Sequence, residues 1–281
     1  MLLPRIVTAV ILLLIILPVL FLTGPVPFYI LAGLFLAAAM WEWSNLNKAT
    51  PSSSLFFAAL WLVCASCLHY FGIVANIAST VWLVFSIFWF LFSIWMLNSG
   101  LINWTNLSPW LRVFLGFVLL IMTWLAVSQA RAKGINFLLS TLALVWAADI
   151  GAYVFGKTLG GKVFKTKLAP SISPGKSKEG AIGGCLSVFA LAYIWMAFDQ
   201  KYQVNTSFYS LVHGSSFALF CFAIIAMVGF SIAGDLVESL IKRTAGAKDS
   251  SRLLPGHGGV LDRIDALLPT LPLALALSDW M

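Results

Sequence analysis

Charge is what this 281-residue chain has least of: Asp, Glu, Lys and Arg together make up 10% of it, against about 25% in ordinary globular proteins. From Ala49 to Leu111 none of the four occurs, and Glu42 is the only acid in the first 140 residues. So long an uncharged stretch excludes a soluble domain, a disordered chain and a fibrous one. Cysteine is scarce as well. Cys64, Cys67, Cys185 and Cys221 give no disulfide framework in a chain of this length. Cys64 and Cys67 form an isolated CxxC with only His69 nearby, too few ligands for zinc, so they read as packing residues.

What is there instead is apolar: 61% hydrophobic residues, with 22 Phe and 12 Trp, and a mean hydropathy of +0.97. Crossing roughly 30 Å of hydrocarbon takes about 20 mostly apolar residues. Spans are expected near 6–23, 26–43, 55–75, 78–97, 111–128, 135–155, 181–199 and 210–233, separated by Gly, Pro, Ser and Asn clusters or by basic segments. The tail from Ala266 to Met281 is a candidate ninth span. The expected fold is all-α, a polytopic membrane helical bundle of eight to nine spans, with the first span retained rather than cleaved. Residues 1–134 read as a scaffold of about five helices and 135–281 as the catalytic region. Trp and Tyr near span ends read as interfacial anchors, and His69 and His213 as packing residues.

Short loops rich in Lys and Arg stay cytoplasmic. With the amino terminus inside, fourteen of the 17 cations fall on the cytoplasmic side, including those of segments 157–178 and 242–263. Arg131, Lys133 and Lys201 fall outside. The sequence pI of about 9.4 therefore reports topology and not nucleic-acid binding.

Polar residues gather late in the chain. Asp149 lies in the sixth expected span, where a charge costs about 2.5–3.5 kcal/mol on insertion scales, and Tyr153 and Gly156 follow on its face. It is either part of a site or an interhelical hydrogen bond or ion pair. The segment Ser171-Ile-Ser173-Pro-Gly-Lys176-Ser177-Lys178-Glu179-Gly180 has no P-loop spacing. Its hydroxyls, glycine and lysine just before a helix start still suit phosphate, with a plain topology anchor as the alternative. Asp235, Glu238, Ser239 and Lys242 share one helical face, and Asp262 and Asp265 follow the turn Pro255-Gly-His257-Gly-Gly259. Acids beside lysines at one rim suit a magnesium–polyphosphate site; a salt-bridged helix pair is the alternative. His257 reads equally as a ligand, a base or a structural hydrogen bonder.

These residues resemble a known family. Ser239-Leu-Ile-Lys242-Arg243, then Lys248-Asp249-Ser-Ser251, then Leu254-Pro255-Gly-His257-Gly258-Gly259-Val-Leu-Asp262-Arg263-Ile-Asp265 is similar to the carboxy-terminal signature of the phosphatidate cytidylyltransferases, with every fixed position filled. The segments Asp149–Lys157 and Ser173–Glu179 also resemble theirs. By motif the resemblance covers the last half of the chain, and by hydropathy alone the rest. It implies an inner-membrane enzyme, bacterial by its lack of a targeting extension, with its active site facing the cytoplasm. It also implies a homodimer that condenses CTP with phosphatidic acid to CDP-diacylglycerol and pyrophosphate. The implied metal is Mg²⁺ at Asp235 and Asp262, and the family admits K⁺ beside it. Asp235, Asp262, Asp265, Lys242, Arg243, Lys248 and His257 carry over as catalytic candidates, and Asp149, Ser173, Lys176, Ser177, Glu179 and Arg263 as substrate-binding ones.

The resemblance agrees with the residue chemistry, since a phosphomonoester is already anionic near neutral pH and needs no strong base. Three other readings stand beside it. A CTP-dependent lipid-alcohol kinase would release CDP, and the complete signature speaks against it. A CDP-alcohol phosphotransferase would need an Asp-Gly-x-x-Ala-Arg motif that the chain lacks. A transporter would place its polar groups near the midplane rather than in loops at one face.

Overall fold

Prolines and hydroxyls mark where the helices begin. Pro25, Pro51 and Pro109 open α2 (Pro25–Leu46), α3 (Pro51–Tyr70) and α6 (Pro109–Lys133), and the Thr50 and Ser108 side chains cap two of them by accepting from Ser53 N and Leu111 N. Proline suits a first turn because its missing N–H has no partner to lose there. In the computed structural model, which describes residues 2–280, eight helices are long and apolar enough to cross a membrane. They are α1 (Leu2–Leu22), α2, α3, α4 (Ser79–Ser99), α6, α7 (Ile135–Leu159), α8 (Lys178–Tyr202) and α10 (Phe217–Thr244). The bundle is all-α, as expected, save for a two-stranded hairpin.

The eighth span starts seven residues later than expected. Ser207 caps a separate short helix, α9 (Phe208–His213), and α10 begins only at Phe217, running on through Asp235 and Lys242 as one helix. The tail is helical but does not qualify as a ninth span. Helix α12 (Leu267–Trp280) has 14 residues, about 21 Å at 1.5 Å per residue, and its middle is buried. Two further short helices are α5 (Leu101–Asn106) and α11 (Leu261–Ile264).

The chain forms two compact units. One contains residues 1–77, 101–135 and 240–265; the other contains 78–100, 136–239 and 266–281. In the first, α2 packs on α3 and α6. Gly116 lets α6 approach the Trp43 indole, where a Cβ would stand 2.0 Å from its Nε1. Trp43 Nε1 donates to Arg112 O at 2.8 Å, and Trp104 Nε1 to Asn47 Oδ1 at 3.0 Å. Trp43 and Trp104 are buried. Trp43, at a span end, is a core residue and not the interfacial anchor expected there, because its indole N–H finds a partner inside. Helix α1 exposes Ile6, Val10, Leu14 and Leu17, an apolar face of the kind that lipid or another protein surface covers. His69 and His213 pack edge-on to Tyr29 and Phe220, as expected.

In the second unit α12 packs on α4 and α9, and α7 meets α8 through small residues. A Cβ on Gly184 would stand 2.7 Å from Ala148 O, and one on Gly180 would stand 2.8 Å from Ala152 O. This close approach puts Asp149 and Tyr153 beside the amino-terminal turn of α8.

Candidate active site

The second unit holds a cavity of about 440 Å³ lined by α7, α8, α10 and the hairpin. Strands β1 (Lys167–Ala169) and β2 (Ser173–Ser177) run antiparallel with an irregular register, and Lys167 Nζ bonds Pro174 O. The hairpin sets Lys176 at the cavity. There its Nζ stands 2.5 Å from Asp235 Oδ2, with the two side chains 23% and 34% exposed. Asp235 Oδ1 accepts from Ser239 Oγ at 3.1 Å, one helical turn on. Asp149 lines the same cavity, as does Ser177, which caps α8 by accepting from Gly180 N at 3.0 Å. Apart from Tyr153, the rest of the lining is apolar or small and includes Ala148, Ala152, Leu168, Gly184, Val228 and Ile232.

Glu179 stands behind this wall. Its Oε1 accepts from Gly161 N, Val163 N and Phe164 N at 3.0, 3.2 and 2.9 Å, so it fixes the 161–164 loop. Ser173 lies opposite Ala169 in the hairpin and is not among the residues that line the cavity. Tyr153 lines the cavity and carries Lys157 Nζ over its ring at 5.7 Å.

The first unit holds the signature. Asp262 Oδ1 accepts from Lys242 Nζ at 2.7 Å and from Ser250 N at 3.1 Å. Its Oδ2 accepts from Ser250 N, Ser250 Oγ and Gly259 N at 2.9, 3.0 and 2.8 Å. The two side chains of this ion pair are 11% and 7% exposed. Burial pushes the Asp262 carboxyl up, but the Lys242 ammonium and the Gly259 and Ser250 amides outweigh it and hold it below the usual carboxylate range. The His-Gly-Gly turn has a steric reason. Gly258 has φ +85° and a Cβ there would meet Asp262 Oδ2 at 2.7 Å, while one on Gly259 would meet Ser250 Oγ at 2.0 Å.

Arg263 donates to His257 O from Nε at 3.0 Å and from Nη2 at 2.6 Å. His257 Nδ1 is buried with no hydrogen-bond partner among the described residues. Arg5 Nε and Thr8 Oγ1 donate to Gly256 O and Pro255 O, both at 2.9 Å, and tie α1 to the same loop. Lys248 and Arg243 are exposed, Arg243 donating to Ala247 O at 3.2 Å. Asp265 is half-buried and ends α11, its N–H donating to Leu261 O at 3.0 Å.

The profile of the Cytidylyltransferase family matches residues 3–280. The chain belongs to this family. Among curated proteins it is 34% identical over 97% of its length to the phosphatidate cytidylyltransferase of Haemophilus influenzae, covering 96% of that protein. It is 35% identical over 99% of its length to the one of Pseudomonas aeruginosa, covering 97%. A Staphylococcus aureus protein of the same name is 41% identical over about half of each chain.

Within this family member the candidates separate into two groups. Asp149, Lys176, Ser177 and Asp235 share the cavity; Lys242, His257, Asp262 and Arg263 share the signature loop. What sequence reading missed is Glu42. It is fully buried in α2 and accepts from Ser250, Ser251, Val260 and Leu261. The signal was available, since a lone acid inside an apolar span calls for a partner as much as Asp149 does.

Proposed function

We propose that this multi-pass membrane protein is a phosphatidate cytidylyltransferase acting at the cytoplasmic face of a bacterial inner membrane. It joins CTP to phosphatidic acid, giving CDP-diacylglycerol and pyrophosphate. The observation that carries the reading is the Lys176–Asp235 pair beside Asp149 at one cavity, in a chain whose whole length matches the family. A cavity of about 440 Å³ is of the size that takes small-molecule ligands.

An oxygen of the lipid phosphate attacks the α-phosphorus of CTP, a P–O–P bond forms, and the bond to the β-phosphate breaks with pyrophosphate leaving. Protein groups position the anions and balance their charge. Lys176 exchanges Asp235 for a substrate phosphate, and the small residues of α7 and α8 leave room beside it.

The charged residues of the lining are two carboxylates, Asp149 and Asp235, against one ammonium, Lys176. By itself that wall repels a polyphosphate, and a divalent cation reverses the sign. No group of three or more metal-ligating side chains occurs among the described residues. One carboxylate fits Mg²⁺, which fills its remaining positions with phosphate oxygens and water. Asp235, partly exposed at the cavity, is the residue that would hold it. Asp262 belongs to the proposal on a condition: one of its Lys242, Ser250 or Gly259 donors must give way. Bound Mg²⁺ would neutralise charge on the phosphate oxygens. K⁺ as a second ion and a homodimer complete the proposal, tested by ion titration and by mass measurement in detergent.

The cytoplasmic assignment rests on the cations of segments 157–178 and 242–263. Cysteines placed at Lys165 and Arg252 test it, since labelling from outside by an impermeant reagent would contradict it. For the reaction, labelled CTP with phosphatidic acid and Mg²⁺ should release pyrophosphate and label the lipid. Release of CDP would indicate a lipid kinase, and no product would reject both.

A further inference from the structure

Glu42 is fully buried in α2 and takes no part in the chemistry above. Both of its oxygens are filled by donors from the signature loop. Oε1 accepts from Ser251 Oγ at 2.6 Å and Val260 N at 2.9 Å. Oε2 accepts from Leu261 N at 2.7 Å and Ser250 Oγ at 3.2 Å. The Ser250 hydroxyl stands between two carboxylates, for it also lies 3.0 Å from Asp262 Oδ2. The space around them is closed: a Cβ on Gly259 would stand 2.5 Å from Glu42 Oε1.

We propose that Glu42 is a positioning residue for the cytidylyl-transfer reaction. It clamps residues 250–261 to α2 and thereby fixes where Asp262 and Lys242 stand. The role rests on the activity proposed above. Three of its partners, Ser251 Oγ, Val260 N and Leu261 N, donate to it and between them reach both oxygens, so only a side chain that accepts at both can satisfy them. Its amide counterpart would turn an NH₂ group toward either Val260 N or Leu261 N and leave that buried N–H unsatisfied. The loop would then sample other positions, and displacements of about 1 Å suffice to cost turnover on the order of 10²-fold.

The test compares wild type, Glu42→Gln, Glu42→Asp and Ser251→Ala as full-length proteins in detergent, by steady-state kinetics with CTP and phosphatidic acid and by amide hydrogen exchange. Glu42→Gln should lower kcat at least about tenfold with both KM values nearly unchanged. Exchange should rise in 250–261 while the amides of α2 and α6 stay protected. Glu42→Asp keeps both acceptor oxygens and should recover part of kcat. Ser251→Ala, which removes one donor only, should move kcat and loop exchange the same way by less, and it serves if Glu42→Gln does not fold. Normal kcat with a freed loop overturns the proposal, as does a loop that stays protected in both Glu42→Gln and Ser251→Ala. A wild type inactive on these substrates would instead reject the activity, while the exchange data would still decide the clamp.

Discussion

A lysine–aspartate pair stands in each unit, and their surroundings differ. Lys176–Asp235 is partly open, and Asp235 has one further donor, Ser239. Lys242–Asp262 is nearly closed, and Asp262 also receives the Ser250 and Gly259 groups. An open ion pair contributes about 0–1 kcal/mol to stability, so Lys176 and Asp235 can part for substrate at little cost. A closed pair in a filled hydrogen-bond shell is costly to break from one side. On the function proposed above, the same two residue types serve exchange in one unit, whereas in the other they form a pair that exchanges only if a donor gives way, and burial makes the difference.

Removing the closed carboxylate is the most severe way to probe the contrast. Asp262→Asn takes the carboxylate out of a nearly closed ion pair and should cost up to about 3–5 kcal/mol of stability, read as a lowered melting temperature in detergent, together with activity. Asp235→Asn should lower turnover at least about 10²-fold while leaving the melting temperature near wild type. Residual activity close to normal at saturating Mg²⁺ would remove Asp235 from the site.

A smaller effect separates phosphate binding from membrane anchoring on the loop. Lys176→Arg should raise the KM for CTP or phosphatidic acid, or lower kcat, about tenfold, because a planar guanidinium presents different donors from a compact ammonium. Lys165→Arg on the same loop, an exposed position, should be nearly silent. Equal small effects at both would make the loop an anchor.

The smallest effect is a pH dependence. Because the folded Asp262 carboxyl is held below its ordinary value, its stabilisation is fully present above about pH 3.9, the unfolded value. It is lost as pH falls below that through the folded value. Unfolding monitored from pH 6 downward should show a steeper acid loss in wild type than in Asp262→Asn. Parallel curves would remove Asp262 from the acid response.

The spans were legible because an apolar run long enough to cross a bilayer has few other uses, and prolines and capping hydroxyls mark several starts. The start of α10 was misplaced because α9 is apolar too, and only its Ser207 cap and the Gly214–Ser216 break divide the run. The hairpin at 167–177 has no alternating apolar pattern, and Pro174 within it argues against a strand, so nothing local announced it. The site was legible as residue types but not as groups. Sequence spacing put Asp235 and Lys242 on one helical face, whereas each is paired elsewhere, Asp235 with Lys176 and Lys242 with Asp262. Hydrogen bonds such as those Glu42 accepts from residues more than 200 positions away leave no mark in local pattern.

The contrast between the two pairs is tested most directly by melting wild type, Asp235→Asn and Asp262→Asn side by side at pH 7 without substrate. The account predicts that Asp235→Asn melts with wild type and Asp262→Asn well below both. Equal losses in the two variants, or a loss confined to Asp235→Asn, would contradict it.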